Sequence, residues 1–515
     1  MFVVLAVAPV LQGATMLAAA AAAVTVLVAR DPRLRAGAMV AALAFSALTV
    51  ATLASSLPGG PAVLAGGALA AIVALVALAA LLVRRPALVG LLALGVLPFR
   101  VPLTLGGDTA SLLLPLYGVI GAAALAEAWR WLRRGRGPEA LDVAERPVPD
   151  TLRHVQIALA AVVGLYALQA VYSSDLEVAL KNVCLFYAPF AVLFRLLCDV
   201  EWSAVRLRHA FWLITGLAIL FAAVGFYEYA SGHLLLSNAK VQEANELKPY
   251  FRVNSLFFDP NIYGRFLALA MIALAATLVW SRDRRSVLIV AAALGVLWAG
   301  LVLSLSQSSF AALLAGLAVL GVLRWKALPV LGAIAVLAAL AVGVVLLSPG
   351  SLEIDTRSTA SLDKATSGRF DLVSGALSMA RDRPVWGFGS GAFAERYRAR
   401  EGVRSTRVAA VSHTIPLTVA AEQGLIGLIA YVALIAASLR LVFSGVRARV
   451  RTPDPGIEAI ASAAIAAAFC ALLLHTFVYA AFLEDPLSWT LLAVAGALAA
   501  RAPEAARRSR AAVAV

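Results

Sequence analysis

The feature that most limits what this chain can fold into is the recurrence, from end to end, of apolar runs about 20 residues long. Each is long enough to cross ~30 Å of hydrocarbon as a helix. Within lipid, every backbone N–H and C=O must be satisfied inside the chain, so such runs fold as helices packed on one another. With AVILMFWYC at 62% and DEKR at only 14%, a string of soluble domains is excluded. The expected class is all-α, a polytopic transmembrane helical bundle of roughly 12–15 spans. Candidate spans are 3–29, 36–56, 61–83, 86–99, 110–129, 154–172, 180–197, 207–228, 259–280, 286–304, 307–323, 327–348, 413–439, 457–480 and 486–500. The first starts without a basic segment and reads as a span rather than a signal peptide.

A formal charge of +14 would suggest nucleic acid in a soluble chain; here it has to be sorted by side of the membrane. Alternate loops are basic: Arg30–Arg35, Arg84–Arg85, Arg130–Arg153, Arg195–Arg208, Arg282–Arg285, Arg324–Lys326, Arg440–Arg451 and Arg501–Arg510. The positive-inside rule places this set, and the C-terminus, in the cytoplasm and the N-terminus outside. The expected division is 1–129, N-terminal spans; 130–153, a basic cytoplasmic loop; 154–348, central spans with an outer loop at 229–258; 349–412, a long outer loop; 413–500, C-terminal spans; and 501–515, a cytoplasmic tail. No nucleic-acid partner is expected. Cys184, Cys198 and Cys470 lie in or beside apolar runs without CxxC or Cys/His spacing, so neither a disulfide framework nor a metal site is expected.

The two outer segments are themselves basic, which suits an anionic partner at the outer leaflet or anionic lipid headgroups. In the longer one, Thr366-Ser367 reads as an N-cap. Phe370, Val373, Leu377 and Ala380 then form an apolar stripe, so an amphipathic helix on the membrane surface is expected. Pro384 ends it, Trp386-Gly387-Phe388-Gly389-Ser390-Gly391 follows as a tight turn, and a second short helix covers about 392–400. The glycine run lacks the setting of a phosphate cradle.

Three clusters carry candidate chemistry. In Tyr250–Arg265, Asp259 is an N-cap and Pro260 the first helical residue, with Asn261 and Arg265 on one face one turn into the membrane. An intramembrane arginine is a functional candidate or a snorkelling one. Ser304–Ser309 is a hydroxyl-rich turn that either binds substrate or glues helices. His413, at the head of a span that carries Glu422, Gln423 and Gly424, suits a general base. Glu422 lies about 180° around that helix from His413. His475, Glu484 and Asp485 read as packing and capping groups.

These clusters, in this order, resemble the O-antigen ligase family of membrane glycosyltransferases. The resemblance rests on Ser367-Gly368-Arg369, Pro384-Val385-Trp386-Gly387-Phe388-Gly389, Ser412-His413-Thr414, and Glu422-Gln423-Gly424-Leu425-Ile426-Gly427. Arg252, Pro260-Asn261 and the Ser306–Ser308 turn add to it. It implies an inverting, metal-independent transferase of the bacterial cytoplasmic membrane, with its active site facing the periplasm and no cofactor. The implied donor is a glycan on undecaprenyl pyrophosphate, and the implied acceptor a hydroxyl of a glycan, lipid or protein. Arg252 is implied to bind the pyrophosphate and His413 to activate the acceptor. Many members carry Ser-Arg where this chain has Ser306-Gln307. Arg265, which has no evident partner in the sequence, is expected to supply the missing charge, with Asn261, Ser306, Gln307 and Arg369 as further substrate contacts. Ligases, polymerases and protein O-oligosaccharyltransferases of the family share these motifs. A lipid-linked glycan flippase is the alternative from another class.

Overall fold

The computed structural model describes residues 2–53, 61–105, 108–133, 148–236, 239–247, 250–330, 369–401, 414–477 and 482–513, with 332 and 336. Span 327–348, most of the long loop, and His413 lie largely or wholly outside the described residues.

Among the described residues the regular structure is helical apart from one hairpin. Its helices are α1 (Phe2–Val28), α2 (Pro32–Leu53), α3 (Pro61–Arg84), α4 (Leu88–Val96), α5 (Leu114–Arg133), α6 (Asp150–Ala170), α7 (Leu176–Lys181) and α8 (Ala188–Asp199). Then come α9 (Ala204–Ser231), α10 (Ala239–Leu247), α11 (Pro260–Trp280), α12 (Arg284–Ser304) and α13 (Gln307–Arg324). The last six are α14 (Arg369–Asp382), α15 (Phe393–Glu401), α16 (Ile415–Val442), α17 (Val446–Val450), α18 (Ile457–Thr476) and α19 (Pro486–Val513). Eleven helical segments among the described residues are long and apolar enough to cross a membrane, and Pro486–Arg501 is a shorter apolar one. Span 86–99 folds as the nine-residue α4, too short to cross alone. The start of span 110–129 belongs to the antiparallel hairpin β1 (Val101–Leu105) and β2 (Asp108–Leu112).

Two apolar cores hold the spans together. One gathers α1, α2, α5, α6, α8 and the inner parts of α16 and α19; the other gathers α9, α11, α12, α13 and α18. Between α7 and α8 the backbone passes through a π-helical stretch, Asn182–Tyr187. Such turns insert a residue into the helix and often mark functional positions.

α16 is broken. Gly424 takes φ 64° and ψ −160° inside it, a conformation open to glycine and closed to residues with a Cβ. The carbonyls and amides released by the break are taken up by the segment between α14 and α15. Phe388 N donates to Ala421 O at 3.1 Å, and Gly389 N to Glu422 O at 2.8 Å. In return, Leu425 N donates to Pro384 O at 2.7 Å and Ile426 N to Val385 O at 3.4 Å. Gln169 Nε2 donates to Gln423 O at 3.2 Å. The break in a membrane helix is thereby satisfied, as a low-dielectric interior demands.

α14 forms where the sequence places it. Leu372, Ala376 and Met379 pack on Phe393, Tyr397 and Ala421, while Leu377 of the expected stripe is exposed. Both faces carry apolar residues, and periodicity does not say which meets protein and which meets lipid.

Candidate functional site

The C-terminal ends of α6, α9, α12 and α18 and the N-terminal ends of α11, α13, α16 and α19 gather at one end of the bundle, opposite the basic loops. Most of the buried polar side chains among the described residues lie there.

Arg252 is fixed from several sides. Its backbone N–H donates to Asn245 Oδ1 and its carbonyl accepts from Asn245 Nδ2, each at 3.0 Å. Nε donates to Ser304 O at 3.1 Å and Nη2 to Asn261 Oδ1 at 3.4 Å. Burial draws its pKa down from the ordinary guanidinium range, and Asp259 and Tyr250 oppose that; a guanidinium stays charged under such pressure. Val253 N donates to Leu303 O at 3.2 Å, laying the strand of loop along the end of α12.

The loop beyond Arg252 hangs on a buried carboxylate, Glu228 of α9. It accepts from Leu235 N at 3.0 Å, Asn254 N at 3.1 Å and Ser255 N at 2.7 Å. Ser255 and Phe258, and Leu305 in the facing turn, are the three non-glycine residues with positive φ among the described residues, at 50°, 61° and 49°. Strain of this kind persists only where surrounding contacts dictate it, and it concentrates at functional sites. Asp259 caps α11 through Asn261 N at 2.7 Å, with Pro260 in the first turn.

The Ser304–Ser309 turn completes the cluster. Ser306 Oγ donates to Asn261 Oδ1 at 2.9 Å and lies 2.8 Å from Ser309 Oγ and 3.3 Å from Ser308 Oγ. Ser308 Oγ reaches His475 Nε2 at 3.2 Å. Gly264 lets α11 approach this closely, since a Cβ there would sit 2.8 Å from Ser309 Oγ and 3.0 Å from Ser304 Oγ. Gln307 opens α13 and is exposed. Arg252, Asn261 and Ser306 therefore form one hydrogen-bonded group.

Arg265 corrects the sequence reading. It has a partner, Asp485, at 2.5 Å, and both side chains are 2% exposed. The charge of Arg265, which has no evident partner in the sequence, is therefore paired within the bundle. Asp485 also caps the first turn of α19 through Leu487 N at 3.0 Å, the role expected of it. Its neighbour Glu484 points elsewhere and accepts from Tyr187 Oη at 2.9 Å. Burial pushes the Glu484 carboxyl above its ordinary range, against hydrogen bonds from its own backbone, Tyr187 and Phe482.

The glycine run is a clasp, in keeping with the turn expected from the sequence. Gly387, Gly389 and Gly391 have φ of 67°, 99° and 83°, and a Cβ on Gly387 would fall 2.2 Å from Glu422 O. Its amides are already engaged: besides the bonds across the α16 break, Gly391 N and Phe393 N donate to the Glu422 carboxylate at 2.8 and 3.1 Å. Tyr172 Oη donates to Trp386 O at 2.6 Å.

His413 lies outside the described residues. Thr414, the next residue, donates through Oγ1 to Phe477 O at 3.4 Å, at the end of α18. Arg369 is the first residue of α14; its side chain is outside the description. Sequence reasoning missed Glu228, Asn245 and the link from Ser308 to His475. Of these, only Glu228, a carboxylate at the end of the apolar run 207–228, gave a signal.

A chain of apolar helices long enough to cross a membrane, with a strained polar cluster and a basic residue held at one end, is a polytopic membrane protein with a candidate site at its helix ends. Residues 292–432 match the family model described as O-Antigen ligase, the family that the motifs of this chain resemble. No match was found among curated proteins.

Proposed function

We infer that this protein transfers a glycan from undecaprenyl pyrophosphate to an acceptor hydroxyl at the outer face of the cytoplasmic membrane, with inversion at the anomeric carbon. The family domain supports a ligase- or polymerase-type membrane glycosyltransferase. The observation that carries the finer reading is the fixing of Arg252 by Asn245, Ser304 and Asn261 beside the Ser306 turn. Positive charge held rigid before the reaction stabilises a leaving pyrophosphate better than charge that must reorganise. The basic loops at the far end support a cytoplasmic location for that end and an outward-facing site.

In this reading the acceptor oxygen attacks the anomeric carbon as the bond to the pyrophosphate oxygen breaks. The hydroxyl proton passes to His413, and the charge left on the pyrophosphate is met by Arg252. The Ser304 carbonyl and Asn261 hold the guanidinium, and Asn261 with its partner Ser306 lines the same phosphate end, with Gln307 at its exposed edge. Arg369, at the head of the surface helix, meets donor phosphate or lipid headgroup. Ligation is favoured over polymerisation and protein glycosylation only by the family description. The test is release of undecaprenyl pyrophosphate by purified protein without nucleotide or ion gradient. Acceptor-dependent release supports a transferase; donor movement across vesicles without release supports a flippase.

A further inference from the structure

The geometry points to a second substrate site, a pyranose subsite in the cavity of about 310 Å³ between α6, the π-helical turn and α16. It deepens the transferase reading and rests on it for the origin of the sugar.

The volume lies at the lower end of ligand pockets, roughly 300–1,000 Å³, and suits one sugar ring rather than a chain. The lining supplies what a ring of hydroxyls requires: the carboxylates Glu422 and Glu484, the phenols Tyr166, Tyr187 and Tyr431, and the amide Asn182. These groups are already ordered by one another. Asn182 Nδ2 donates to Tyr166 Oη at 2.7 Å, Tyr187 Oη donates to Glu484, and Glu422 is held by the clasp amides. Tyr166 and Tyr187 meet edge to face with centroids 4.9 Å apart, offering aromatic surface to the apolar face of a sugar.

Two further observations set this cavity apart from a packing defect. The π-helical turn delivers both Asn182 and Tyr187 to it, one from each end. The short turn 482–485 forms the partition between the cavity and the Arg252 cluster: Glu484 lines the cavity, while Asp485 pairs with Arg265 beneath Asn261. Ile415 and Thr418, in the first turn of α16 after His413, complete the lining. A sugar here is adjacent both to the pyrophosphate end and to the head of α16. That sugar belongs either to the acceptor or to the donor glycan.

The test uses full-length protein in nanodiscs and saturation-transfer NMR with methyl pyranosides of glucose, galactose, mannose and N-acetylglucosamine. Wild type is expected to transfer saturation to at least one of them. Tyr187→Phe removes one hydrogen bond to the ring and Glu484→Gln exchanges one acceptor oxygen for an amide donor, and a loss of roughly ten-fold in affinity is expected for each. Ala394→Phe, which fills the cavity from α15, is expected to abolish binding with an unchanged melting temperature. Where turnover is measured, a raised KM for acceptor assigns the sugar to the acceptor, and a raised KM for donor assigns it to the donor glycan. No transfer in wild type, or transfer unchanged in all three variants, overturns the subsite. Turnover with unaltered variants overturns the subsite and leaves the transferase; binding without turnover does the reverse.

Discussion

Arg265 of α11 and Asp485 before α19 form an ion pair at 2.5 Å with both side chains 2% exposed, and this pair ties the helix that starts the Arg252 cluster to the turn that bounds the neighbouring cavity. A buried charge is tolerated only with its partner, and losing one member leaves the other unpaired.

Arg265→Ala is therefore expected to cost about 3–5 kcal/mol of stability. The double change Arg265→Met with Asp485→Leu is expected to recover most of that loss. Melting in detergent checks both. A single mutant that melts like wild type would mean the pair is not structural.

The clasp across the α16 break gives a second expectation. Gly387→Ala places a methyl group 2.2 Å from Glu422 O at a positive φ. The loop has to move, at a cost of at least about 1–3 kcal/mol, and cysteine-accessibility labelling around Gln423 is expected to rise as the break opens. Labelling equal to wild type would show that the clasp is dispensable.

Glu228 positions Arg252 through the loop it holds. Glu228→Gln leaves one acceptor oxygen where three amides converge. Turnover is expected to fall about ten-fold, with the loss in donor KM or kcat and acceptor KM unchanged. A change confined to acceptor KM would assign Glu228 to another site.

A pH dependence follows from Glu484. Its folded pKa lies above the ordinary 4.5 because burial penalises the carboxylate. The folded state binds this proton more tightly than the unfolded state, so the contribution is complete below the unfolded pKa and is lost as pH rises through the folded one. Stability is expected to decline with pH above 4.5 in wild type, with a smaller decline in Glu484→Gln. Parallel pH–melting curves would contradict this.

Much of the architecture was legible because hydrocarbon enforces it. Apolar runs had to be helices, Asp259-Pro260 had to start one, and the glycines of 387–391 had to turn. The pairings were not legible. Asp485 reads in the sequence as a packing and capping group, and nothing local shows that a residue so distant in sequence as Arg265 packs against it. Glu422 was placed by helical angle relative to His413, but its partners are amides of another segment. The hydroxyl-rich turn could be read as glue or as a substrate contact. The structure shows that Ser306 touches Asn261, which also receives Arg252.

The most direct measurement compares wild type, Arg252→Ala and His413→Ala for acceptor-dependent release of undecaprenyl pyrophosphate from a lipid-linked glycan. The account predicts release by wild type and a loss of about 100-fold or more in each variant, with folding retained. Release at wild-type rates by both variants, or none by wild type with any hydroxyl acceptor, would contradict it.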